Sequence, residues 1–272
     1  EDRGFESRHP SSLKMKPTNV KGTRDLIEED ALLMNYIVDT LKKIFEKYGF
    51  QPFYTSVLEY SETLKTKISD EILGLIYEFK DKSNRDIGLR YDLTLGLARV
   101  AANKQLNLPF KRYQIERSYR YESPGKNRYR EFWQADIDVL GVNNVKADAE
   151  CLACFSEALQ TLNLKDFTIR INSRELLDEI LENLNIKNNA KVYQIIDKID
   201  KIGLKNVEQE LNKIIGKDKT KKLLTTLRKS NIDKYKSSEK IKELIDCCKY
   251  YKINKVKIDL FLVRGLAYYT GL

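Results

Sequence analysis

The chain has 272 residues, 42% of them hydrophobic and 33% charged, enough apolar material for one large or two smaller domains with real cores. Lysine and arginine outnumber aspartate and glutamate by 49 to 40, and the surplus suits a partner carrying phosphate, nucleic acid or anionic lipid without singling one out. No stretch nears the ~20 consecutive apolar residues of a membrane-spanning helix, and the sole histidine, His9, leaves almost no room for a histidine base, a Ser-His-Asp triad or a histidine-rich metal site.

Residues 1–17 hold Gly4, Pro10, Ser11, Ser12 and Pro17 and no apolar run of the signal-peptide kind. They read as a disordered leader, and the protein as cytoplasmic or an organellar copy, with no membrane partner. Lys21-Gly22-Thr23-Arg24-Asp25 is a polar turn. Over residues 28–48, Leu32, Leu33, Tyr36, Ile37, Leu41, Ile44 and Phe45 fall at the spacing of an amphipathic helix, with Gly49 as its stop. Residues 51–59 read as a strand, and 76–80 with 87–91 as a hairpin around a polar turn. Residues 94–103 return to helix.

Two longer strands, 110–122 and 128–139, flank Ser123-Pro124-Gly125-Lys126-Asn127, whose Pro-Gly pair marks a turn or mobile loop. A helix over 147–162 and a short strand over 167–172 follow. Residues 173–254 are rich in lysine and asparagine, helical in pattern and broken at Gly203 and Gly216, so they read as a separate helical unit. Residues 256–263 form a strand again, Arg264-Gly265 interrupts it, and 266–270 look extended. The expected organisation is therefore a core over 18–172, a helical insertion over 173–254, and a return strand over 255–272.

Cys151 and Cys154 form a C-x-x-C inside the helical pattern, with no second pair at zinc spacing, and adjacent Cys247 and Cys248 cannot complete a tetrahedral site. They read as buried reduced thiols, with no zinc and no protein metal ligand from histidine or cysteine.

Strand parity gives the long hairpin its chemistry. Alternate residues share a face, so Arg112, Gln114, Glu116, Ser118, Arg120 and Glu122 lie with Arg128, Arg130, Phe132, Gln134, Asp136 and Asp138, while Tyr129, Trp133, Ile137 and Val139 suit the packed side. Arginines near the loop suit phosphates through forked, charge-assisted hydrogen bonds. Carboxylates further in suit an ammonium or a polar ring, and an aromatic between them suits a stacked base. A solvated face with cross-strand ion pairs is the plainer alternative. Arg90, Asp92 and Thr94 form a second polar set, and Arg264-Gly265-Leu266-Ala267-Tyr268-Tyr269-Thr270-Gly271 a third.

Taken in order, Lys21–Asp25, Leu89–Thr94, Tyr119-Arg120-Tyr121-Glu122-x-Pro124 with Arg128-Tyr129-Arg130-Glu131-Phe132-x-Gln134-x-Asp136-x-Asp138, and Arg264–Gly271 resemble the successive signatures of histidyl-tRNA synthetase. The hairpin alone matches any class II synthetase; the Arg-Gly-Leu-x-Tyr-Tyr-Thr-Gly run is the histidine-specific one. The resemblance implies an α+β fold, a class II synthetase-like antiparallel sheet flanked by helices with a helical insertion that meets the tRNA acceptor arm. It implies a homodimer that activates histidine with ATP and Mg2+, the metal arriving with substrate, and then transfers the acyl group to tRNA(His).

It also implies roles. Arg120 contacts the ATP α-phosphate, Glu122 the adenine amino group, Arg128 the distal phosphates, and Phe132 lies under the adenine. Asp92, Thr94 and Gln134 hold the histidine α-amino group and nearby atoms, Gln134 also bordering ATP. Asp138 and Tyr269 read the imidazole beside Tyr268, and Arg264 bridges the carboxylate and the α-phosphate. The chain departs from the family pattern at Ala267, where an acidic residue is usual, and at Ser56, where a proline marks the dimer contact. The resemblance further implies segments beyond Leu272, an arginine that closes over ATP and an anticodon-binding domain, so the chain is expected to be a fragment with little or no activity. The competing readings are a histidine-sensing regulatory paralogue and a general basic RNA-binding module.

Overall fold

The computed structural model describes residues 17–66, 68, 70–229, 231–263 and 271. Helix α1, Glu28–Lys47, opens on Glu28, Glu29 and Asp30 and closes on Lys47, charges that complement its dipole. It buries Ile44 and Phe45. Gly49, at φ +78°, lets the chain leave the helix, its N–H donating to Glu46 O at 2.9 Å and that of Phe50 to Phe45 O at 3.0 Å.

Strand β1, Gln51–Pro52, runs parallel to β5, Phe110–Tyr119, and β5 pairs antiparallel with β6, Glu131–Leu140, in the register Phe110↔Leu140 to Tyr119↔Glu131. A second sheet has the order β2 (Leu58–Tyr60), β4 (Asp86–Leu89), β3 (Glu78–Lys80), all antiparallel, with short helices α2 (Ser61–Leu64) and α3 (Asp70–Leu73) between β2 and β3. Helix α4, Thr94–Asn103, links the sheets. Helix α5, Val145–Thr161, starts two residues before the expected position because the Asn144 side chain accepts from the N–H groups of Lys146 and Ala147. Strand β7, Ile169–Ile171, pairs parallel with β8, Val256–Ile258. Between them lie helices α6 (Arg174–Asn183), α7 (Asn189–Ile196), α8 (Ile199–Ile215), α9 (Lys217–Lys229) and α10 (Glu239–Tyr250), with a 3-10 turn at Lys236–Ser238. Gly203 breaks α8 at φ +75°, and Gly216 ends it at φ +82°, as the sequence pattern implies.

Two large apolar layers and a small cluster of Leu64, Ile76 and Tyr91 by the second sheet hold these parts among the described residues. Ile44, Phe45 and Phe50 meet Tyr113, Ile115, Cys154 and Ala158, with Ile137 and Val139 against them, so α1 and α5 cover the odd-numbered face of the hairpin. The opposite side of α5, with Ala149 and Ala153, shares a larger core with Ile171, Leu176, Ile180, Val192, Leu211, Leu227, Ile241 and Leu260. The helices over 174–250 thus pack continuously with α5.

Several expectations need correction. The strand over 51–59 is two pieces in different sheets, because after Pro52 only the Phe53 N–H keeps the ladder, donating to Tyr113 O at 2.9 Å. The hairpin strands end at Tyr119 and start at Glu131, since the chain between them closes its own turn with Gly125 paired to Arg128. Strand β8 stops at Ile258, where Asp259 turns the chain by accepting from the Phe261 N–H at 3.0 Å. Trp133 is not packed but 39% exposed. The α1–α5 layer reaches only the end of the hairpin remote from the loop, and beyond it Arg117 lies over the Trp133 ring at 5.5 Å and Arg24 over Tyr129 at 4.3 Å. The expected break at Arg264-Gly265 and the extended run over 266–270 lie outside the described residues.

Candidate ligand site on the hairpin

The β5–β6 register sets Arg112 opposite Asp138, Gln114 opposite Asp136, Glu116 opposite Gln134 and Ser118 opposite Phe132, all on one face. That face is not a solvated one. Arg112, Gln114 and Ser118 have no exposed surface, and Arg90 and Asp92 are also buried. Burying so many polar groups costs free energy unless each finds a partner.

Most partners lie along one chain of contacts. Arg112 Nη2 sits 2.5 Å from Asp138 Oδ2 as an ion pair, off the alignment of a hydrogen bond. Arg112 Nη1 donates to Gln114 Oε1 at 3.4 Å, and Gln114 Nε2 donates to Glu116 Oε2 at 2.5 Å and Thr55 Oγ1 at 3.1 Å. Arg90 completes the line, Nη1 donating to Glu116 Oε2 at 2.9 Å and Thr55 O at 3.0 Å, and Nε to Arg117 O at 2.9 Å. Gln134 Nε2 donates to Asp136 Oδ2 at 3.0 Å.

Some atoms remain unsatisfied. Ser118 Oγ, Gln134 Oε1, Asp138 Oδ2 and Arg112 Nε are buried without a hydrogen bond, and all four lie on this face. Electrostatics mark the same place. Burial raises the Asp136 carboxyl to about 6, against the pull of Arg112, and burial also raises that of Asp138. Carboxyls lifted this way by burial beside a specific charged partner are a recurring sign of a binding centre.

The remaining predicted residues surround the face. Asp92 Oδ1 accepts from the N–H groups of Thr94 at 2.8 Å and Leu95 at 3.2 Å, so it caps α4 and is fixed in place. Thr94 is the first residue of that helix and half-buried. Arg120 Nε donates to Tyr91 O at 3.0 Å, and its guanidinium lies 5.1 Å from the centre of the Phe132 ring. Glu122 and Arg128 sit on the loop, Arg128 exposed. Arg130, across from Arg120, is occupied differently. Its Nε donates to Glu122 O at 3.0 Å, its N–H donates to Gly22 O at 2.7 Å, and its guanidinium covers the Tyr121 ring at 4.1 Å. Gly22 must be glycine there, at φ +86° with a Cβ position 2.8 Å from the Arg130 side chain. The polar turn is thereby clamped to the hairpin loop.

Arg264, Tyr268 and Tyr269 lie outside the described residues. Among the described residues no group of three or more histidine, cysteine, aspartate or glutamate side chains is arranged to hold a metal ion. The thiols of Cys151 and Cys154 are pushed up to about 12, chiefly by burial, which leaves them protonated and inert. Sequence reasoning gave no site role to Arg112, Gln114, Glu116, Asp136 or Thr55. For the first four the signal was the polar run on even positions of both strands, interrupted only by Phe132; Thr55 had none.

Comparison with known proteins gives one answer. A family model described as histidyl-tRNA synthetase matches residues 22–272. Curated relatives named histidine–tRNA ligase include those of Nanoarchaeum equitans, 40% identical over 93% of this chain and 61% of its own length, and Aeropyrum pernix, 38% identical over 94% and 63%. A solved histidyl-tRNA synthetase from Nostoc sp. PCC 7120 superposes with a TM-score of 0.80 at 28% identity, covering 95% of this chain and 64% of that one. A Bacillus halodurans structure titled an ATP phosphoribosyltransferase regulatory subunit/histidyl-tRNA synthetase has a TM-score of 0.78 at 22% identity and shares the fold. The chain therefore spans less than two thirds of the length of the curated relatives named above.

Proposed function

Because this chain belongs to the histidyl-tRNA synthetase family, we propose that the polar face of the β5–β6 hairpin binds histidine and ATP for adenylate formation. The observation that carries the reading is the pair of buried, unpartnered atoms Ser118 Oγ and Gln134 Oε1, with the ion-paired but not hydrogen-bonded Asp138 Oδ2, beside a helix-capping Asp92. A chain that folds around unsatisfied groups leaves free energy for a ligand to recover.

In this reading the histidine ammonium is held by Asp92, Thr94 and Gln134, and its imidazole by Asp138 with Tyr268 and Tyr269. Phe132 supports the adenine and Glu122 accepts from its amino group. Arg120 neutralises the α-phosphate, Arg128 the distal phosphates, and Arg264 lies between the carboxylate and the α-phosphate. The histidine carboxylate oxygen attacks the α-phosphorus in line, the bond to the bridging oxygen breaks, and pyrophosphate leaves with its electron pair. Mg2+ accompanies ATP as part of that substrate. The acyl group then passes to a ribose hydroxyl of tRNA(His), releasing AMP. Each step needs alignment and cations at the developing charge rather than a histidine base, and a well-placed donor is worth ~3 to 4 kcal/mol. Arg120 and Arg128 give this chain phosphate ligands that a purely histidine-sensing protein does not need.

The assembly proposed is a homodimer in the cytoplasm. Exposed Leu32, Leu33 and Tyr36 on α1 and Leu58, Tyr60 and Phe79 on the second sheet supply the apolar area a partner copy would cover. Calorimetry with histidine, with and without ATP, tests the central reading. Histidine should bind the chain and ATP should strengthen it, while Asp138→Ala should remove binding without unfolding the protein. A folded chain that takes up neither ligand overturns the reading.

A further inference from the structure

Two arginines are buried under the hairpin face, and they are used differently. Arg90 ties elements together, donating to the backbone carbonyls of Arg117 and Thr55 as well as to Glu116. Arg112 donates to no backbone carbonyl. It has no exposed surface, its Nε has no partner, and its neighbours are the Gln114 side chain, the Phe53 ring at 5.6 Å and the Asp138 carboxylate. A guanidinium that only braced the fold would be expected to spend its five donors on carbonyls. This one is buried for the sake of Asp138.

We propose that Arg112 is a positioning residue for histidine recognition, fixing the Asp138 carboxylate in its ionised form and tying it through Gln114 and Glu116 to Arg90. The inference rests on the histidine-binding reading above and adds the mechanism by which the ring is read. An ionised Asp138 accepts from an imidazole N–H and stabilises a protonated ring; a neutral Asp138 would offer its own proton and select the opposite edge. Burial alone drives the carboxyl toward the neutral form, and Arg112 opposes that. The other groups facing Asp138 are Asp136 on the same strand, Asp92 ahead of α4, and the Cys151 thiol on α5. Asp92 disfavours its ionisation and the thiol is neutral, so Arg112 is the one cation among these neighbours that favours it.

The test combines affinity, pH profile and spectroscopy on the 272-residue chain. Histidine labelled with 15N in the ring should bind the wild type with one ring N–H hydrogen-bonded to a carboxylate. Folded R112Q should bind histidine about tenfold or more weakly at pH 7, because a loss of one pKa unit of stabilisation of the ionised form is a tenfold change. Its affinity should recover as pH rises through the elevated Asp138 pKa. R112K, which keeps the charge but not the fork, should fall between the two. Equal affinity and an unmoved pH profile in both variants overturn the assignment, and if R112Q does not fold, R112K alone decides. Carboxyl 13C titration of wild-type Asp138 gives a variant-free check, since a carboxyl protonated at pH 7 also overturns it. If the wild type binds no histidine at all, the functional reading fails first, and the two failures are distinguishable.

Discussion

The β5–β6 hairpin and the helices over 174–250 bury comparable side chains by opposite means. Around the helices the interior is Leu176, Ile180, Val192, Leu211, Leu223 and Ile241, with Thr220 and Ser238 bonded to nearby carbonyls. Lysines stay outside, where pairs such as Lys240 with Glu175 are about half exposed. Under the hairpin the buried set is Arg90, Arg112, Gln114 and Ser118 with two elevated carboxyls nearby. The helical segment is optimised for its own stability. The hairpin face holds charges and unpartnered atoms that stability alone would have removed, and the difference is what supports placing the proposed ligand site there.

The two regions should differ most at Arg90. Arg90→Met should cost about 3 to 5 kcal/mol, since it removes a buried cation that donates to Glu116 and to two carbonyls, and it should also weaken histidine binding. Ile180→Ala in the apolar core should cost about 2 to 4 kcal/mol as a cavity yet leave histidine affinity unchanged. Denaturant melts read alongside calorimetry check both. If Ile180→Ala alters affinity as much as Arg90→Met, the two regions are not energetically distinct.

Asp136 sharpens the contrast through pH. Its folded carboxyl, raised from 3.8 to about 6, lies above its unfolded value, so the group costs the fold nothing below the unfolded pKa. The cost grows as pH rises from about 4 and is complete above about 6, where it amounts to roughly 3 kcal/mol. Asp136→Asn should therefore stabilise the chain at pH 7 by about that much and lose the gain near pH 4. Thermal melts across that range check the sign.

The sequence made the architecture legible wherever one period dominated. α1, α4 and the breaks at Gly203 and Gly216 follow from helical spacing and glycine, and the even face of the hairpin follows from strict alternation. Boundaries set by a side chain reaching its own backbone, as Asn144 and Asp259 do, carry no periodic signal. Nor does parity say whether a polar face meets water or protein. That depends on Thr55 and on the Arg90–Glu116 link, which join residues 26 to 59 positions apart. The family resemblance supplied the ligand roles, but it gave Arg112 none, because its partner across the sheet is visible only in register.

The smallest effect belongs to the helical surface. Lys240 on α10 donates to both oxygens of Glu175 on α6, at 2.7 and 2.8 Å, distances as short as that of the Arg90–Glu116 pair of the hairpin. Both side chains are about half exposed, so water screens the attraction and ordering two long side chains offsets much of it. Lys240→Ala should change stability by less than about 0.5 kcal/mol and fade further in high salt. A loss comparable to that of Arg90→Met in the same melts would mean that pair geometry, rather than burial, sets the energetic weight of an ion pair in this chain, and the distinction between the two regions would have to be redrawn on that basis.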